Sequence, residues 1–225
     1  PGEGCGEMVS AQEQIAQADP KAAKKAIAAR VGGRLVDLDA AVDPQAQVEP
    51  VTPASPEALE VLRHSTAHIM AEAVKALFPG VKVASGPAVE NGFYYDFDYQ
   101  RPFTPDDLPA IEKKMAEIIR DDLPFQREVE PKDEARRLFA EKDEPYKLEL
   151  LGELADEKVS LYRQGGFLDL CRGPHLPSTG KVGAFKLTSV AGAYWRGDEH
   201  NPMLSRIYGT AFFDRKELKR HLALL

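Results

Sequence analysis

The chain has 225 residues and a formal net charge of −7, with 43% hydrophobic and 29% charged residues. That length can bury one large core or two small ones, and the apolar content, with 10 Phe, 7 Tyr and 1 Trp, excludes wholesale disorder. Every long apolar stretch is interrupted by a charge, so the sequence offers no membrane span. The net charge, −3 up to Pro53 and −4 beyond it, disfavours tight, indiscriminate binding to phosphate.

The start of the chain and its cysteines indicate in which compartment the protein is located. Residues 1–6 contain no basic region followed by an apolar run, so they are not a secretory signal. They also lack an initiator Met, which suggests a cut or engineered start. Cys5 and Cys171 lie far apart and give no disulfide framework, which favours a reducing, cytoplasmic location.

The first fifty or so residues predict a small separate unit. Ser10 and Glu13 have the spacing of a capping box at a helix start. A second helix is predicted over residues 21–30, opened by an Asp-Pro pair. Residues 34–38 alternate like a strand, and Val48–Val51 is predicted as its partner strand.

The second unit begins after a Pro-rich linker at residues 51–56, with the longest helix pattern in the chain. This helix is predicted over residues 56–78, with Ser55 as its cap and a Pro-Gly stop at its end. Its middle is apolar nearly all round, apart from His68 and Glu72. The sequence therefore predicts a helix in the interior of the domain.

Helices and strands then follow without a regular βαβ alternation. Strands are predicted over residues 92–97, 125–129, 159–163, 167–170, 185–190 and 206–213, and helices over residues 104–118, 132–142, 145–154 and 214–225. This order predicts an α+β fold with a mainly antiparallel sheet.

Two short patterns place chemically versatile side chains close together. His64 and His68 are four residues apart on the long helix, so both imidazoles project from one face. Cys171 and His175 flank a Gly-Pro turn that follows a predicted strand. These residue types suit a tetrahedral metal site, or a metal-free pocket that orders a water and moves protons. Each pattern alone also fits chance spacing or a buried structural cysteine.

Longer motifs identify a family resemblance that extends from about residue 10 to the end of the chain. The motifs are His-Ser-Thr-Ala-His at 64–68, Gly-Phe-Tyr-Tyr-Asp at 92–96, Asp-Leu-Cys-Arg-Gly-Pro-His at 169–175, Gly-Ala-Tyr-Trp-Arg-Gly at 192–197 and Arg-Ile-Tyr-Gly-Thr at 206–210. In these motifs the sequence closely resembles the bacterial threonyl-tRNA synthetase family.

The resemblance implies two domains. Residues 1–52 would form a small ubiquitin-like β-grasp (TGS-like) module, incomplete at its start because residues 1–6 stand where a first strand should run. Residues 53–225 would form the α+β tRNA-editing domain, the second additional domain of threonyl- and alanyl-tRNA synthetases, with a mainly antiparallel sheet around a central helix. The ATP-dependent aminoacylation core would lie outside this chain.

The implied activity is hydrolysis of an aminoacyl-tRNA ester. The editing domain of this family clears seryl-tRNA(Thr), giving serine and tRNA(Thr), which serves the accuracy of protein biosynthesis. The implied partners are the acceptor end of tRNA(Thr) and the remainder of the synthetase, with its catalytic and anticodon-binding domains. No membrane partner is expected.

The resemblance also implies which residues form the site, because they occupy the matching positions in the motifs. Five catalytic residues are implied: His64 and His68 to orient the terminal adenosine or the water, Lys147 and His175 to hold and activate the water, and Cys171 in the same pocket. Five substrate-binding residues are implied: Asp169 for the ammonium or hydroxyl group of the substrate, Tyr95 to shape the pocket, and Arg172, Arg196 and Arg206 for ribose-phosphate.

Two alternatives to this interpretation stay open. The chain could be a non-catalytic tRNA-binding module. The presence of all four residues of the cluster disfavours this alternative: His64, His68, Cys171 and His175. It could also be a zinc-dependent hydrolase of the alanyl-tRNA type, with zinc on those same four residues. The Cys-Arg-Gly-Pro-His and Ala-Tyr-Trp-Arg-Gly runs favour the threonyl branch, so we expect editing to require no cofactor or metal.

Overall fold

The computed structural model describes residues 7–225. Residues 1–6, where the sequence predicts an incomplete first strand, lie outside the described residues. Helices and strands are interspersed in the described part, and all of its strand pairings are antiparallel. The predicted α+β class is therefore confirmed.

The amino-terminal unit is built from short elements around a core of its own. These elements are β1 (Val9–Ser10), α1 (Ala11–Ala18), α2 (Pro20–Lys25), β2 (Ala28–Val31), β3 (Arg34–Val36), β4 (Ala41–Val42) and β5 (Val48–Val51). The predicted capping box is present, because Ser10 and Glu13 each accept the other's backbone N–H. The β-grasp assignment and a domain boundary at residue 52 stay predictions.

The second predicted helix of this unit is shorter than residues 21–30. α2 ends at Lys25, and Ala28–Val31 forms the central strand of a sheet with the order β3-β2-β5. The Ala- and Lys-rich composition favours helix locally, but Ala28 and Ala29 are fully buried in the sheet, and tertiary burial overrides that weak propensity. Strand β5 consequently pairs with β2 and not with β3.

The second unit contains two larger sheets packed against helices. Its elements are α3 (Ala58–Leu77), β6 (Lys82–Val83), β7 (Ala88–Val89), β8 (Gly92–Asp98), α4 (Leu108–Asp121), β9 (Gln126–Pro131), α5 (Lys132–Glu141), α6 (Pro145–Glu153), β10 (Lys158–Gln164), β11 (Phe167–Leu170), β12 (Ala184–Tyr194), β13 (Met203–Phe212) and α7 (Arg215–Leu222). One sheet has the order β12-β13-β8-β6, with β7 also on β8, and the other has the order β11-β10-β9.

Helix α3 occupies the interior, as predicted. Thirteen of its twenty residues are buried, and it packs against α4, β8 and β13. Its predicted cap is wrong: Ser55 Oγ accepts the backbone N–H of Thr52, at 2.9 Å, within the linker turn. The helix begins at Ala58, and no side chain within residues 7–225 caps its first turn.

The two units are joined by a shared apolar core. Ile27, Ala28 and Val51 of the amino-terminal unit pack into the main core with α3 and the large sheet. This contact places the loop after β3 beside the segment that follows β11. In the part of the chain that the structure describes, no helix combines the length and the apolar character that crossing a membrane requires.

Candidate functional site

The two histidine motifs meet at one point. His64 and His68 on α3, and Cys171 and His175 beyond β11, offer donor atoms that all lie within 4.8 Å of one another. The ring centroid of His175 is 4.4 Å from that of His64 and 4.3 Å from that of His68. Helical spacing explains the first pair, and the turn at Gly173-Pro174 brings the second pair back onto it.

A buried ion pair adjoins this cluster. Lys147 Nζ, on α6, is 2.5 Å from Asp169 Oδ1, on β11, and the two side chains are only 3% and 2% exposed. Lys147 also donates to the hydroxyl of Tyr95, at 2.9 Å, and this hydroxyl donates to Asp169 Oδ2, at 2.7 Å. Each buried charge therefore has an opposite charge and a hydroxyl partner, without which burial would cost several kcal/mol.

Helix α6 is fixed on several sides, which determines where Lys147 lies. Tyr146 donates to Asp98 at 2.6 Å, and the indole N–H of Trp195 donates to Glu149 at 3.1 Å. Arg196 forms an ion pair with the same Glu149 at 3.1 Å. The Gly-Ala-Tyr-Trp-Arg-Gly motif thus anchors the helix that presents the buried lysine.

The environment of His175 defines which of its nitrogens is free. Its Nδ1 is 3.0 Å from Ser65 Oγ, whose own proton is donated to the carbonyl of Val61 at 2.8 Å. Ser65 therefore accepts from Nδ1–H, which leaves Nε2 as an unprotonated acceptor that faces Cys171. Burial, followed by the neighbouring histidines, lowers the pKa of His175 well below its ordinary value, so the ring is neutral at pH 7.

Cys171 lies between two imidazoles as a protonated thiol. Its Sγ is 3.3 Å from His64 Nε2 and 3.4 Å from His175 Nε2, and the backbone N–H of Gly173 donates to it at 3.3 Å. Burial, and then the Asp169 carboxylate, raises the pKa of the thiol to about 12. A thiol has one proton, so it can occupy only one of the two imidazole nitrogens at a time.

His68 connects the cluster to the ion pair. Its Nε2 is 3.4 Å from Asp169 Oδ2, whereas its Nδ1 is buried and has no hydrogen-bond partner among the residues that the structure describes. Burial, then His64 and Lys147, lowers the pKa of His68 well below its usual range. The result is a second neutral imidazole with a bare nitrogen inside the site.

The segment around His175 is also held by Tyr162 and Asp37, which lie outside the sequence motifs. Tyr162 of β10 lies with its ring 4.5 Å from that of His175, and its hydroxyl donates to Asp37 of the amino-terminal unit. Gly173 has φ +72°, and a Cβ there would come within 1.8 Å of the Tyr162 hydroxyl. Ser65 lies inside the motif at residues 64–68, so the sequence could have indicated its role, whereas no local sequence pattern distinguishes Tyr162 or Asp37.

The three predicted arginines are not part of the cluster. Arg172 is exposed and lines two surface cavities of about 360 and 480 Å³. Arg196 is bound to α6, as described above. Arg206 donates to both oxygens of Asp96, at 2.8 and 2.9 Å, and its guanidinium lies 3.9 Å from the ring centroid of Tyr94. Their contact with ribose-phosphate stays a prediction.

The types of donor atom in this cluster also fit a metal ion. Imidazole nitrogens and thiolate sulfur are the ligands that zinc prefers, and the cluster offers three imidazoles and one thiol. The Nδ1 of His68 has no hydrogen-bond partner among the described residues, and its Nε2 lies 3.4 Å from Asp169, as is common for a histidine that binds a metal. His64, His68, Cys171 and His175 would be the ligands. Zinc bound there would supply Lewis-acid polarisation of a carbonyl group or a water.

In metal-free buffer, we expect the free energy of unfolding to fall as the pH is lowered from about 7 to about 5. Burial puts the folded-state pKa of His64, His68 and His175 below the ordinary value, so the unfolded chain takes up protons first. Stability is fully present above about pH 6.5 and is lost as the pH falls toward the folded-state values, by up to about 1.4 kcal/mol per pH unit for each histidine. Urea unfolding at each pH measures this slope.

The matched control is His64→Gln, at the least buried of the three imidazoles. Removing one such group should flatten the slope by up to about 1.4 kcal/mol per pH unit. Identical slopes for the two proteins would show that His64 is not held neutral by the fold.

The chain is similar to known proteins that act on tRNA. Residues 159–208 match the family described as the threonyl and alanyl tRNA synthetase second additional domain. The threonine–tRNA ligase of Oleidesulfovibrio alaskensis is 62% identical over 200 residues, which cover 88% of this chain and 31% of that enzyme. The threonine–tRNA ligase of Rubrobacter xylanophilus is 60% identical over 206 residues, 92% of this chain and 32% of the enzyme.

A further relative extends the match along the chain. The threonine–tRNA ligase of Acidiphilium cryptum is 55% identical over 219 residues, which cover 96% of this chain and 34% of that enzyme. The chain spans about a third of the length of the curated relatives it matches. With about 60% identity over about nine tenths of its own length, the chain belongs to the threonyl-tRNA synthetase family and carries its tRNA-editing type of domain.

Proposed function

We propose that the chain hydrolyses the aminoacyl ester of mischarged seryl-tRNA(Thr), releasing serine and tRNA(Thr). The observation that carries the proposal is the buried Lys147–Asp169–Tyr95 set against a neutral His/Cys cluster. Its relatives are threonine–tRNA ligases, and serine is threonine without one methyl group. Synthesis of the ester, which consumes ATP, is assigned to the remaining two thirds of such enzymes.

In the proposed reaction, His175 is the general base. Its Nε2 is an unprotonated acceptor, which is available when the thiol proton of Cys171 points to His64, and Ser65 fixes the opposite nitrogen as the donor. A water held near Nε2 would lose its proton to this nitrogen as its oxygen attacks the ester carbonyl carbon. When the carbon–oxygen bond to the ribose breaks, the same proton passes to the ribose oxygen, so the imidazole is regenerated.

Lys147 supplies the fixed positive charge of the site. Its ammonium has three protons, of which the Tyr95 hydroxyl accepts one, and Asp169 Oδ1 lies 2.5 Å from the nitrogen as its ion-pair partner. A further proton can point to the attacking water or to the carbonyl oxygen as negative charge develops there. In a buried site such a preorganised donor is worth far more than it is in water.

Asp169 is the proposed recognition group for the substrate. Its Oδ2 accepts the hydroxyl proton of Tyr95, whereas its Oδ1, which is ion-paired with Lys147, accepts no hydrogen bond among the residues that the structure describes. A carboxylate oxygen has two acceptor positions, so Oδ1 can accept the ammonium or hydroxyl group of a seryl moiety. His64 and His68 would orient the terminal adenosine or the water, with the acceptor end of tRNA(Thr) as the partner.

Selectivity would come from lack of space. The rings of Tyr95 and Phe167 are buried, and their centroids lie 6.5 and 6.2 Å from that of His68, so the space around this imidazole is narrow. Threonine has one methyl group more than serine, and that difference is worth only about 1–3 kcal/mol in a single binding step. A second site that admits serine and clashes with the added methyl group multiplies this discrimination.

We expect the purified chain to deacylate seryl-tRNA(Thr) at least about 10-fold faster than threonyl-tRNA(Thr), in line with a difference of one methyl group. The two substrates carry the same tRNA, so the ratio isolates the side-chain pocket. The measurement is release of radiolabelled amino acid under single-turnover conditions. Equal rates for the two esters would contradict the proposed substrate.

We expect Lys147→Met to lower the single-turnover rate by about 100- to 1,000-fold, the usual loss for a charge-stabilising donor. The substitution keeps the volume of the side chain and removes its charge. Lys142→Met, at an exposed lysine near the end of α5, is the matched control and should leave the rate unchanged. Circular dichroism at the assay temperature checks that both variants are folded.

Binding measured in the same variants separates catalysis from tRNA binding alone. Lys147→Met should retain affinity for uncharged tRNA(Thr), because the lysine side chain is only 3% exposed and is paired with Asp169. If wild-type protein binds this tRNA and hydrolyses neither ester, the non-catalytic binding module becomes the correct interpretation.

We further propose that the reaction requires no metal. Lys147 already provides the positive charge and His175 the base, so both tasks of a zinc-bound water are covered by side chains. The matches to threonine–tRNA ligases also support the threonyl branch over a zinc-dependent alanyl-tRNA-type hydrolase.

Accordingly, we expect chelator treatment to leave deacylation unchanged, with less than about 0.1 zinc per chain after gel filtration, since a structural His/Cys zinc site binds close to one ion. Elemental analysis and the deacylation assay, before and after chelator, measure the two quantities. Stoichiometric zinc together with activity that is lost to chelator and restored by zinc would overturn the metal-free proposal.

A further inference from the structure

A buried carboxylate of the amino-terminal unit reaches into the segment that carries His175. Asp37 follows directly after β3 and is 9% exposed. Its Oδ1 accepts the backbone N–H of His175 at 2.9 Å, and its Oδ2 accepts the hydroxyl proton of Tyr162 at 2.6 Å. These contacts cross 138 and 125 positions of the sequence, from one unit to the other.

The two bonds hold His175 from two directions. One fixes the backbone of the residue itself. The other fixes Tyr162, whose ring packs edge-on against the imidazole at 4.5 Å and whose hydroxyl fills the space beside Gly173. The ring of His175 also stacks on Phe125, with centroids 4.8 Å apart and planes at 3°. Asp37 thus completes the frame around the proposed base.

We propose that Asp37 is a positioning residue for the hydrolysis, through which the amino-terminal unit sets the orientation of His175. This inference rests on the proposed function for its catalytic readout. Asp37 touches no reacting atom, and it acts on the backbone of His175 and on the ring of Tyr162. A displacement of about 1 Å at a catalytic group can cost about 100-fold in rate.

Asp37 is not the only contact that joins the two units among the residues that the structure describes. Ile27, Ala28 and Val51 fill part of the main core and hold the amino-terminal unit by apolar contact. A substitution at Asp37 should therefore loosen the His175 segment without separating the units. This distinguishes positioning from a general contribution to folding.

The test compares Asp37→Ala, Asp37→Asn and Asp39→Ala in the full chain. Alanine removes both acceptors. Asparagine keeps both contacts, because its carbonyl oxygen can accept the His175 N–H while its amide donates to the Tyr162 oxygen. Asp39, two residues on and exposed, is the matched control.

We expect Asp37→Ala to lower kcat for seryl-tRNA(Thr) by about 10- to 100-fold while KM changes less than about threefold. Asp37→Asn should recover to within about threefold of wild type, and Asp39→Ala should match wild type. Rates are taken well below the Tm of each variant, with the folded fraction measured by circular dichroism.

A second readout needs no substrate. Hydrogen exchange of the His175 backbone amide, followed by NMR, should accelerate in Asp37→Ala far more than exchange of the core amides of α3, and it should stay slow in Asp37→Asn. If the wild-type chain hydrolyses no ester, the proposed function fails while this measurement still reports on Asp37. Wild-type kcat in Asp37→Ala, or a loss that follows the unfolded fraction with His175 still protected, would overturn the positioning role.

Discussion

The buried ion pair between Lys147 and Asp169 is the constraint on which the rest of the site depends. Two opposite charges from α6 and β11, and the hydroxyl of Tyr95 from β8, meet where water is largely excluded. Burying charges costs several kcal/mol before their attraction is counted, so such a pair is a poor means of holding a fold together. In the proposed hydrolysis, the pair would keep a positive charge in place beside the substrate. The contacts of Tyr146 with Asp98 and of Trp195 with Glu149 hold α6 in position.

The histidine cluster is the electrostatic complement of this pair. Burial holds all three imidazoles and the thiol in their neutral forms, so the ion pair supplies the fixed charges of the cluster region. Neutral rings can accept and return a proton, and they add no competing positive charge beside Lys147, which itself disfavours protonation of His68. One arrangement therefore combines a strong local field with groups that can still move a proton.

Periodicity and motif spacing predicted much of this arrangement, because both depend on local geometry. Four-residue spacing placed His64 and His68 on one face of an interior helix, and the alternating patterns located most strands. Sequence reasoning failed where distant parts of the chain decide the outcome. Ala28 is in a strand because it is buried between two others, and Asp37 has no local signal at all, since its partners lie more than a hundred residues away.

Because β8 pairs with β13, the contact between Arg206 and Asp96 also affects the register of these two strands. Asp96 lies directly opposite Arg206, and the next residue pair is Tyr95 with Ile207. Side chains alternate between the two faces of a strand, so a slip by one position would turn Tyr95 away from Lys147. The forked bond to Asp96, reinforced by the stacking on Tyr94, opposes that slip from the far face of the sheet. Arg206 thereby fixes the register of β8 against β13. A substitution of Arg206 would act on the proposed site through the alignment of the strand that carries Tyr95.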